Sequence, residues 1–251
     1  AQNLYENGFI TYMRTDSLNL SSLAINTIKN NITKNYGDDY LHVRKYQTKV
    51  EGAQEAHEAI RPTFVDNETI EATKQEQRLY DLILKRAIAS QMADAKIEKT
   101  IVTIGDSTDK YSFIATGETI IFDGFLKLYI ESTDDDNAEE TTSTLPNILI
   151  GAKAETSKIE AIEKFDQPPS RYTEASLVRK LEELGIGRPS TYAPTISTIQ
   201  QRGYVEKGNK TGETRKYNII TLKNGKITTK EGKETVGAEK AKLLPTDIGI
   251  V

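Results

Sequence analysis

Apolar residues near the start of the chain recur at the spacing of an amphipathic helix. Ala24, Ile28 and Ile32 follow one another at four-residue intervals, which places them on one helical face. Capping groups at residues 19–22 precede them and Gly37 follows, so the helix is predicted to begin and end there. A second helix is predicted farther along, with a face made of Leu79, Leu82, Ile83, Arg86, Ala87 and Ser90.

The pattern changes near residue 96 to short β-branched and aromatic runs. Glycine and aspartate turn formers separate these runs, and this alternation predicts an antiparallel β region. The predicted strands are residues 101–104, 111–115, 120–122, 125–130, 148–150 and 159–162. The acidic segment 131–143 has no apolar anchor and is expected to be a mobile loop.

Three consecutive aspartates in that segment, residues 134–136, carry the oxygen ligands that Mg²⁺ prefers. A magnesium site needs carboxylates that are fixed by a packed surround, and no neighbouring residue in the sequence supplies one. We therefore predict no metal site in this chain.

The last third of the chain predicts two helices followed by a hairpin. Thr173 is placed to cap a helix whose apolar stripe is closed by Gly185. A second helix, with Tyr192 on its apolar face, ends at Gly203, and the residues from 204 to 221 predict a hairpin with a charged tip. This is the order of a winged helix-turn-helix, a shape that commonly binds nucleic acid.

Together these elements predict an α+β protein with several domains. A mostly helical domain that carries the tyrosine discussed below would occupy residues 1–95, and an antiparallel β-rich domain would occupy residues 96–165. A winged-helix-like domain would occupy residues 166–251.

Composition limits the classes of protein that the chain can belong to. It has 251 residues, enough for two or three domains, and 37% hydrophobic with 28% charged residues is ordinary for a soluble protein. The absence of cysteine excludes disulfides and Cys-based zinc sites. No apolar stretch approaches the roughly 18 residues of a membrane-spanning helix. The formal charge of -4 argues against broad binding to polyanions but leaves room for a local basic groove.

The segment FITYMRTDS, residues 9–17, contains the first candidate chemistry. Side chains alternate along an extended chain, so Tyr12 and Arg14 are expected on the same side. A guanidinium fixed beside a phenol favours the phenolate, and a phenolate is a nucleophile for phosphorus. The alternative is that Tyr12 packs or lies at the surface beside an exposed Arg14. Spacing alone leaves both interpretations open.

One of the two histidines, His57, lies in the glutamate-rich segment EGAQEAHEAIRPT, residues 51–63. An imidazole titrates near neutrality, which suits proton transfer or hydrogen bonding to an anion. A solvated or structural histidine is the alternative. Pro62 is expected to stop any helix that carries this segment, and the other histidine, His42, belongs to no recognised motif.

The start of the second C-terminal helix is a candidate anion site. Ser190 and Thr191 offer hydroxyl and backbone N–H groups at the positive end of the helix dipole, and Arg188 adds a guanidinium. Alternatively these residues are an ordinary N-cap and an exposed charge. Arg202, in the last turn, either binds a phosphate or complements the negative end of the helix.

Three stretches of the chain resemble the type IA family of DNA topoisomerases. FITYMRTDS is similar to the active-site segment of that family, and QEAHEAIRP is similar to a segment whose histidine lies near the tyrosine and the scissile phosphate. Residues 174–205, EASLVRKLEELGIGRPSTYAPTISTIQQRGYV, resemble a segment that holds the single strand leading into the active site. The string GRPSTYA favours the bacterial topoisomerase I branch over topoisomerase III. Pro194 departs from the pattern, although proline is tolerable in a first helical turn.

The resemblance implies a role for each candidate residue. Tyr12 would attack a DNA phosphodiester and form a 5′-phosphotyrosine. Arg14 would stabilise the developing charge, and His57 would bind a phosphate oxygen or assist proton transfer. Contacts with the DNA backbone would come from Arg188, Thr191 and Arg202, with Ser190 and Tyr192 as further candidates.

For the whole protein, the resemblance implies ATP-independent relaxation of negatively supercoiled DNA by cleavage of one strand, strand passage and resealing. It also implies a toroidal core whose Mg²⁺ site belongs to an N-terminal Toprim domain, and no match to that domain occurs in the sequence. We therefore expect a central fragment that binds no Mg²⁺, binds single-stranded DNA weakly and does not cleave it alone. We further expect an exposed Tyr12, a monomer, no membrane partner and a cytoplasmic, nucleoid-associated location.

The alternative hypothesis is that the chain is not part of an enzyme. It would then be a winged-helix module that binds DNA or has a structural role, without catalytic ancestry. It accounts for residues 166–251 and leaves Tyr12, Arg14 and His57 as packing or surface residues. The two hypotheses differ in geometry, because only the enzyme requires these three side chains to converge on one open face.

Overall fold

The structure of the chain is a computed structural model, which describes residues 1–15, 17–46, 57–108, 110–130, 145–146 and 148–250. The chain divides into two compact units. Described residues of the first unit lie within Ala1–Ser132 and Glu139–Ile148, and those of the second lie within Leu149–Val251. The division into three domains stays a prediction. The acidic segment 131–143, with its three aspartates, lies outside the described residues.

The first unit is built on helices α1 (Gln2–Glu6), α2 (Ser22–Tyr36) and α3 (Lys74–Ala89). The predicted bounds of α2 are confirmed. Its N-cap is Ser21, whose hydroxyl oxygen accepts the Ala24 N–H at 3.2 Å, and its C-cap is Gly37. Local capping groups and a four-residue apolar repeat are therefore sufficient to define this helix.

Helix α3 is also present, and part of its predicted face is confirmed: Leu79 and Ile83 pack against the core and Ala87 is buried. A capping box between Thr73 and Glu76 starts the helix. The prediction is wrong at Leu82, which is 49% exposed. Leu82 is two residues from both Tyr80 and Leu84, and two residues turn a helix by about 200°. Because Tyr80 and Leu84 are buried, Leu82 points away from the core.

One hydrophobic core joins these helices and the loops between them. Its buried members are Leu4, Ile10, Ile28, Ile32, Val65, Tyr80, Leu84, Ile88 and Met92. The polar end of Tyr80 is satisfied inside this core, because its hydroxyl donates to the Asn67 carbonyl oxygen at 2.7 Å. Phe9 and Met13 of the tyrosine-bearing segment pack against the same cluster, so the segment rests on a rigid base.

Strands β1 (Lys96–Gly105) and β2 (Ser112–Phe122) form an antiparallel hairpin in the first unit. The strand predicted at 125–130 is wrong, because Gly124–Lys127 is a 3₁₀ turn instead. Gly124 has a φ of +50°, and a Cβ there would lie 2.5 Å from the Ala93 carbonyl oxygen. The Phe125 N–H donates to that oxygen at 2.9 Å. The backbone at Gly124 and Phe125 therefore turns and packs directly on the backbone of Ala93. Residues 148–150 form no strand either.

The described part of the second unit contains two antiparallel sheets. Strand β5 (Glu213–Lys223) lies between β3 (Ile159–Ile162) and β6 (Lys226–Val236), and β4 (Val205–Lys210) pairs with β7 (Glu239–Pro245). The hairpin predicted within residues 204–221 is wrong, because β4 and β5 belong to different sheets. Among the described strands, β4 pairs only with β7, and β5 pairs with β3 and β6. The spacing of these strands along the sequence does not reveal which of them pair.

A two-residue turn joins β5 to β6. Lys223 and Lys226 face each other at its base, and Asn224 and Gly225 have φ values of 52° and 72°. Asparagine followed by glycine is the preferred pair for such a hairpin turn, because both positions need a positive φ. The hairpin of the second unit is therefore at this turn.

Helices α4 (Glu174–Glu183) and α5 (Pro189–Gln201) confirm the two predicted C-terminal helices, and a short helix α6 (Asp247–Ile250) follows β7. Thr173 caps α4 as predicted, because its hydroxyl oxygen accepts the Ser176 N–H at 3.0 Å. The winged-helix arrangement itself stays a prediction. None of the helices in the described residues is both long and apolar enough to cross a membrane.

Candidate active site

Two segments that are far apart in sequence are joined beside the core of the first unit. Ile10 pairs with Pro62 in an isolated antiparallel bridge, and the Thr11 N–H donates to the Arg61 carbonyl oxygen at 2.9 Å. The Thr11 hydroxyl donates to the Ala59 carbonyl oxygen at 2.7 Å and accepts the Arg61 N–H at 2.9 Å. The residue before Tyr12 therefore fixes the tyrosine-bearing segment to the histidine-bearing one.

The turn after α1 brings a second tyrosine to the same place. Gly8 has a φ of +73°, its N–H donates to the Tyr5 carbonyl oxygen at 2.9 Å, and the Phe9 N–H donates to the Leu4 carbonyl oxygen at 2.9 Å. This pair of bonds with a left-handed glycine is the Schellman ending of a helix. It reverses the chain, so that residues 9–14 run back past α1.

Tyr12 lies among three side chains. Its ring meets the rings of Tyr5 and His57 edge to face, with both centroid distances at 5.3 Å. The Arg14 guanidinium carbon lies 5.6 Å from the Tyr12 ring centroid. Tyr12 is half-buried, not fully exposed as expected, because these neighbours cover part of its ring.

Arg14 is half-buried and has no carboxylate partner among the described residues. Its proximity to Tyr12 confirms the prediction that the two side chains lie on the same side of an extended segment. A half-buried guanidinium beside a phenol attracts an anion such as a phosphate. The group beside Tyr12 is thus suited to a negatively charged substrate.

The described part of the histidine segment, residues 57–63, is irregular and not helical. The Nδ1 atom of His57 lies 2.9 Å from the Glu58 carbonyl oxygen. A carbonyl oxygen only accepts hydrogen bonds, so Nδ1 carries the proton in this arrangement. In the neutral ring, Nε2 is then the unprotonated nitrogen.

A charged network lies directly behind His57. The Glu58 carboxylate accepts the Ser21 N–H at 2.6 Å, the Arg61 Nε–H at 3.1 Å and an Arg61 Nη2–H at 2.6 Å. Burial of Glu58 favours its neutral form, but the hydrogen bonds from Ser21 and Arg61 outweigh burial and hold the pKa of Glu58 below its usual value. Glu58 is therefore ionised at neutral pH.

Four of the predicted DNA-contacting residues lie together at the start of α5, in the second unit. Arg188 and Ser190 are exposed, and Tyr192 is half-buried. The Thr191 hydroxyl accepts the Arg188 N–H at 2.9 Å and donates to the Arg188 carbonyl oxygen at 3.0 Å. The Thr191 side chain therefore caps the N-terminus of α5, in addition to its predicted contact with DNA. Gly187 has a φ of +82°, and a Cβ there would lie 3.1 Å from the Thr191 hydroxyl oxygen, so glycine suits this turn.

The fifth predicted contact, Arg202, is separated from the other four. It is the C-cap of α5, which has 13 residues. At 1.5 Å per residue it lies about 20 Å from the helix start, so it belongs to another part of the surface of this unit. Arg202 is exposed, and its guanidinium is accessible to a ligand as well as to the helix dipole.

A model of the DNA topoisomerase family matches residues 1–222 of the chain. DNA topoisomerase 1 of Mycolicibacterium smegmatis is 48% identical over 82% of this chain. The prokaryotic-type DNA topoisomerase 1 of Acanthamoeba polyphaga mimivirus is 43% identical over 100% of it. The chain belongs to the type IA DNA topoisomerase family.

A solved structure, full-length topoisomerase I from Thermotoga maritima, matches this topoisomerase chain with a TM-score of 0.59 at 34% identity. The match covers 80% of this chain and 32% of that one. It supports the mixed helix-and-sheet class predicted from sequence. The chain spans 24% of the M. smegmatis relative and 32% of the mimivirus relative, so it corresponds to a minor part of each.

Sequence reasoning does not single out three residues that shape the site of this topoisomerase chain. Glu58 and Arg61 form an ion pair at 2.6 Å, and their opposite charges three residues apart in QEAHEAIRP are the signal that could have pointed to them. Tyr5 carries no comparable signal, because only the reversal at Gly8 brings its ring beside Tyr12.

Proposed function

We propose that this chain supplies the nucleophilic tyrosine of a topoisomerase that relaxes negatively supercoiled DNA. In the reaction, the Tyr12 hydroxyl loses its proton and its oxygen bonds to phosphorus. The bond from phosphorus to the 3′-oxygen breaks, and that oxygen leaves as a hydroxyl after gaining a proton. A 5′-phosphotyrosine links the strand to the protein while another strand passes, and the reverse reaction reseals it. One phosphodiester replaces another, so ATP is not required.

The observation that carries this proposal is the convergence of Tyr12, Arg14 and His57 around one half-buried phenol. A non-catalytic module does not require the three side chains to meet. Arg14 would stabilise negative charge on the phenolate or on the pentacoordinate phosphorus. His57 would bind a phosphate oxygen or move a proton through Nε2, since its Nδ1 donates to the Glu58 carbonyl oxygen.

A single-stranded stretch of DNA is the proposed substrate, held by the second unit as a winged-helix-like surface. The start of α5 presents Arg188 and the Ser190 hydroxyl to solvent at the positive end of the helix, which suits a phosphate. Thr191, Tyr192 and Arg202 are the other proposed contacts. These residues bind the backbone and carry no sequence readout.

Mg²⁺ is the cofactor that the family resemblance implies, and the described residues do not fit it. Within the described ranges, no three histidine, aspartate or glutamate side chains are grouped to hold a metal ion. We propose that the ligands lie outside this chain and that the chain alone binds single-stranded DNA weakly without cleaving it. We also propose a monomer with a cytoplasmic, nucleoid-associated location.

The decisive experiment incubates the full-length enzyme with an oligonucleotide and Mg²⁺ and looks for a denaturant-resistant adduct. A 5′-phosphotyrosine retains the 3′ part of the strand, so a 3′-label is expected in the adduct and a 5′-label in a free fragment. Tyr12→Phe removes the attacking oxygen and should abolish the adduct. Tyr5→Phe, the matched control, keeps its ring and should leave the adduct intact.

An adduct that survives Tyr12→Phe would refute the proposed nucleophile. The inability of the chain alone to cleave is tested separately with the 251-residue chain. If that chain with Mg²⁺ gives an adduct that Tyr12→Phe removes, the proposal that it needs further elements is wrong.

A further inference from the structure

We infer that Glu58 is a positioning residue of this site, whose carboxylate fixes the backbone that orients the His57 ring beside Tyr12. The catalytic consequence of this inference rests on the proposed function. The positioning of His57 by Glu58 rests on hydrogen bonds within the first unit, and NMR tests it without DNA cleavage.

The two oxygens of the Glu58 carboxylate have different partners. One oxygen accepts the backbone N–H of Ser21, the N-cap of α2, at 2.6 Å. The other accepts the Nε–H and an Nη2–H of Arg61 at 3.1 and 2.6 Å. Arg61 is itself fixed, because its N–H donates to the Thr11 hydroxyl oxygen at 2.9 Å. Glu58 thus ties the histidine segment to the N-terminus of α2.

Only an ionised carboxylate satisfies both partners. Ser21 and Arg61 both donate, so both side-chain oxygens of residue 58 must accept. A glutamine has one accepting oxygen and one donating NH₂ group, and the NH₂ group would face a donor in either orientation. The lowered pKa of Glu58, held down by these hydrogen bonds against the effect of burial, agrees with this requirement.

The backbone of Glu58 transmits this restraint to His57. The Glu58 carbonyl oxygen lies 2.9 Å from His57 Nδ1, and the next N–H, that of Ala59, donates to the Asn19 carbonyl oxygen at 2.7 Å. The peptide group that orients the imidazole is therefore held from both sides. Its position selects the Nδ1–H form of the ring, in which Nε2 is the unprotonated nitrogen.

The geometric test is ¹⁵N NMR of the chain labelled at histidine. The chain has two histidines, so a His42→Gln variant assigns both signals. In the neutral imidazole of the wild type, the Nδ1–H tautomer of His57 should dominate. In Glu58→Gln and Glu58→Ala it should give way to a mixture of both tautomers.

Glu76→Gln is the matched control. Glu76 also accepts the N–H of a helix N-cap, Thr73, at 2.9 Å, but it caps α3. A glutamine can still accept the Thr73 N–H through its carbonyl oxygen, so this variant makes the same side-chain change outside the site and should leave the His57 tautomer unchanged. If His57 keeps the Nδ1–H form in Glu58→Gln, or lacks it in the wild type, the positioning role is refuted. Glu58→Gln keeps side-chain volume, so its test does not depend on whether Glu58→Ala folds.

The catalytic test measures single-turnover cleavage of the 3′-labelled oligonucleotide by the full-length enzyme. Glu58→Gln should slow cleavage by about ten- to a hundredfold with the oligonucleotide Kd unchanged, because misplacing a catalytic group by about 1 Å costs rate on this scale. In a His57→Ala background the same change should have no further effect, because Glu58 acts through His57. Losses that multiply would show an independent role and overturn the inference.

The two tests separate this inference from the proposed function. If His57→Ala cleaves at the wild-type rate, the proposed catalytic role of His57 fails, and the NMR comparison still decides whether Glu58 orients the ring. If the tautomer does not respond to Glu58→Gln while Tyr12→Phe abolishes the adduct, the positioning role fails and the proposed function stands.

Discussion

The rings of Tyr12 and His57 meet at an interplanar angle of 87° with their centroids 5.3 Å apart. Hydrogen bonds from Thr11 to Ala59 and Arg61 hold their segments together immediately beside the two rings. The folded backbone therefore brings the two rings together, and no DNA is needed for them to meet. A displacement of either segment changes the surroundings of the phenol.

Replacement of Arg14 should reduce the rate of cleavage far more than DNA affinity. Loss of one preorganised donor to a developing negative charge typically slows a reaction by roughly 10² to 10³. Arg14→Ala should therefore cleave about a hundredfold more slowly than the wild type in single-turnover assays at saturating oligonucleotide. The cleavage rate of Arg14→Lys should lie between those of Arg14→Ala and the wild type, because lysine keeps the positive charge and lacks the planar guanidinium.

The control for Arg14 is Arg78→Ala, which removes an exposed cation from α3. It should cleave within about twofold of the wild type, since single surface changes away from a site have small effects. A wild-type rate for Arg14→Ala would contradict the role assigned to this guanidinium.

Replacement of Arg188 should change the salt dependence of DNA binding by the second unit. Each phosphate contact to a single strand contributes about 0.7 to the slope of log affinity against log salt concentration. Arg188→Ala should therefore weaken binding and flatten that slope by about 0.7, measured by fluorescence anisotropy of a labelled oligonucleotide at several salt concentrations. In Lys180→Ala the slope should stay the same, because Lys180 is paired with Glu183 at 3.0 Å. An unchanged slope in Arg188→Ala would remove this residue from the proposed contacts.

Glu58 should make the stability of the first unit depend on pH in the acid range. Its pKa in the folded protein lies below the ordinary glutamate value of 4.5, although burial opposes this, because Ser21 and Arg61 donate to the ionised form. The stabilisation is therefore fully present above that unfolded value and is lost as the pH falls through the folded pKa. The difference in free energy of unfolding between wild type and Glu58→Gln, from urea titrations between about pH 3 and 7, should shrink on acidification. A difference that is constant with pH would exclude this linkage.

Two leucines of α3 should differ in their contribution to stability. Leu84 is 8% exposed within the core and Leu82 is 49% exposed. Leu84→Ala should lower the free energy of unfolding by about 2–5 kcal/mol, because it leaves a cavity. Leu82→Ala, the same chemical change on the same helix, should cost under about 1 kcal/mol. Equal losses in urea denaturation would contradict the placement of the buried face.

The sequence by itself determined the local parts of the structure and the chemistry that they carry. The bounds of α2 and α4 follow from capping groups and a helical repeat, which act over a few residues. The contact between Tyr12 and Arg14 follows from alternation along one extended segment. The turn at Asn224 and Gly225 belongs to the same local class and was predictable from its two residues.

Only the tertiary structure decided which distant segments meet. Strand β4 pairs with β7 and β3 with β5, and alternation of side chains cannot choose among such partners. Residues 125–130 have the composition of a strand. They do not form one, because Gly124 lies close to the backbone at Ala93 and a 3₁₀ turn forms there instead. The phenol likewise gains His57 through the hydrogen bonds of Thr11, and Glu58 holds that histidine from behind. These contacts depend on closing long loops within each unit, which no local pattern encodes.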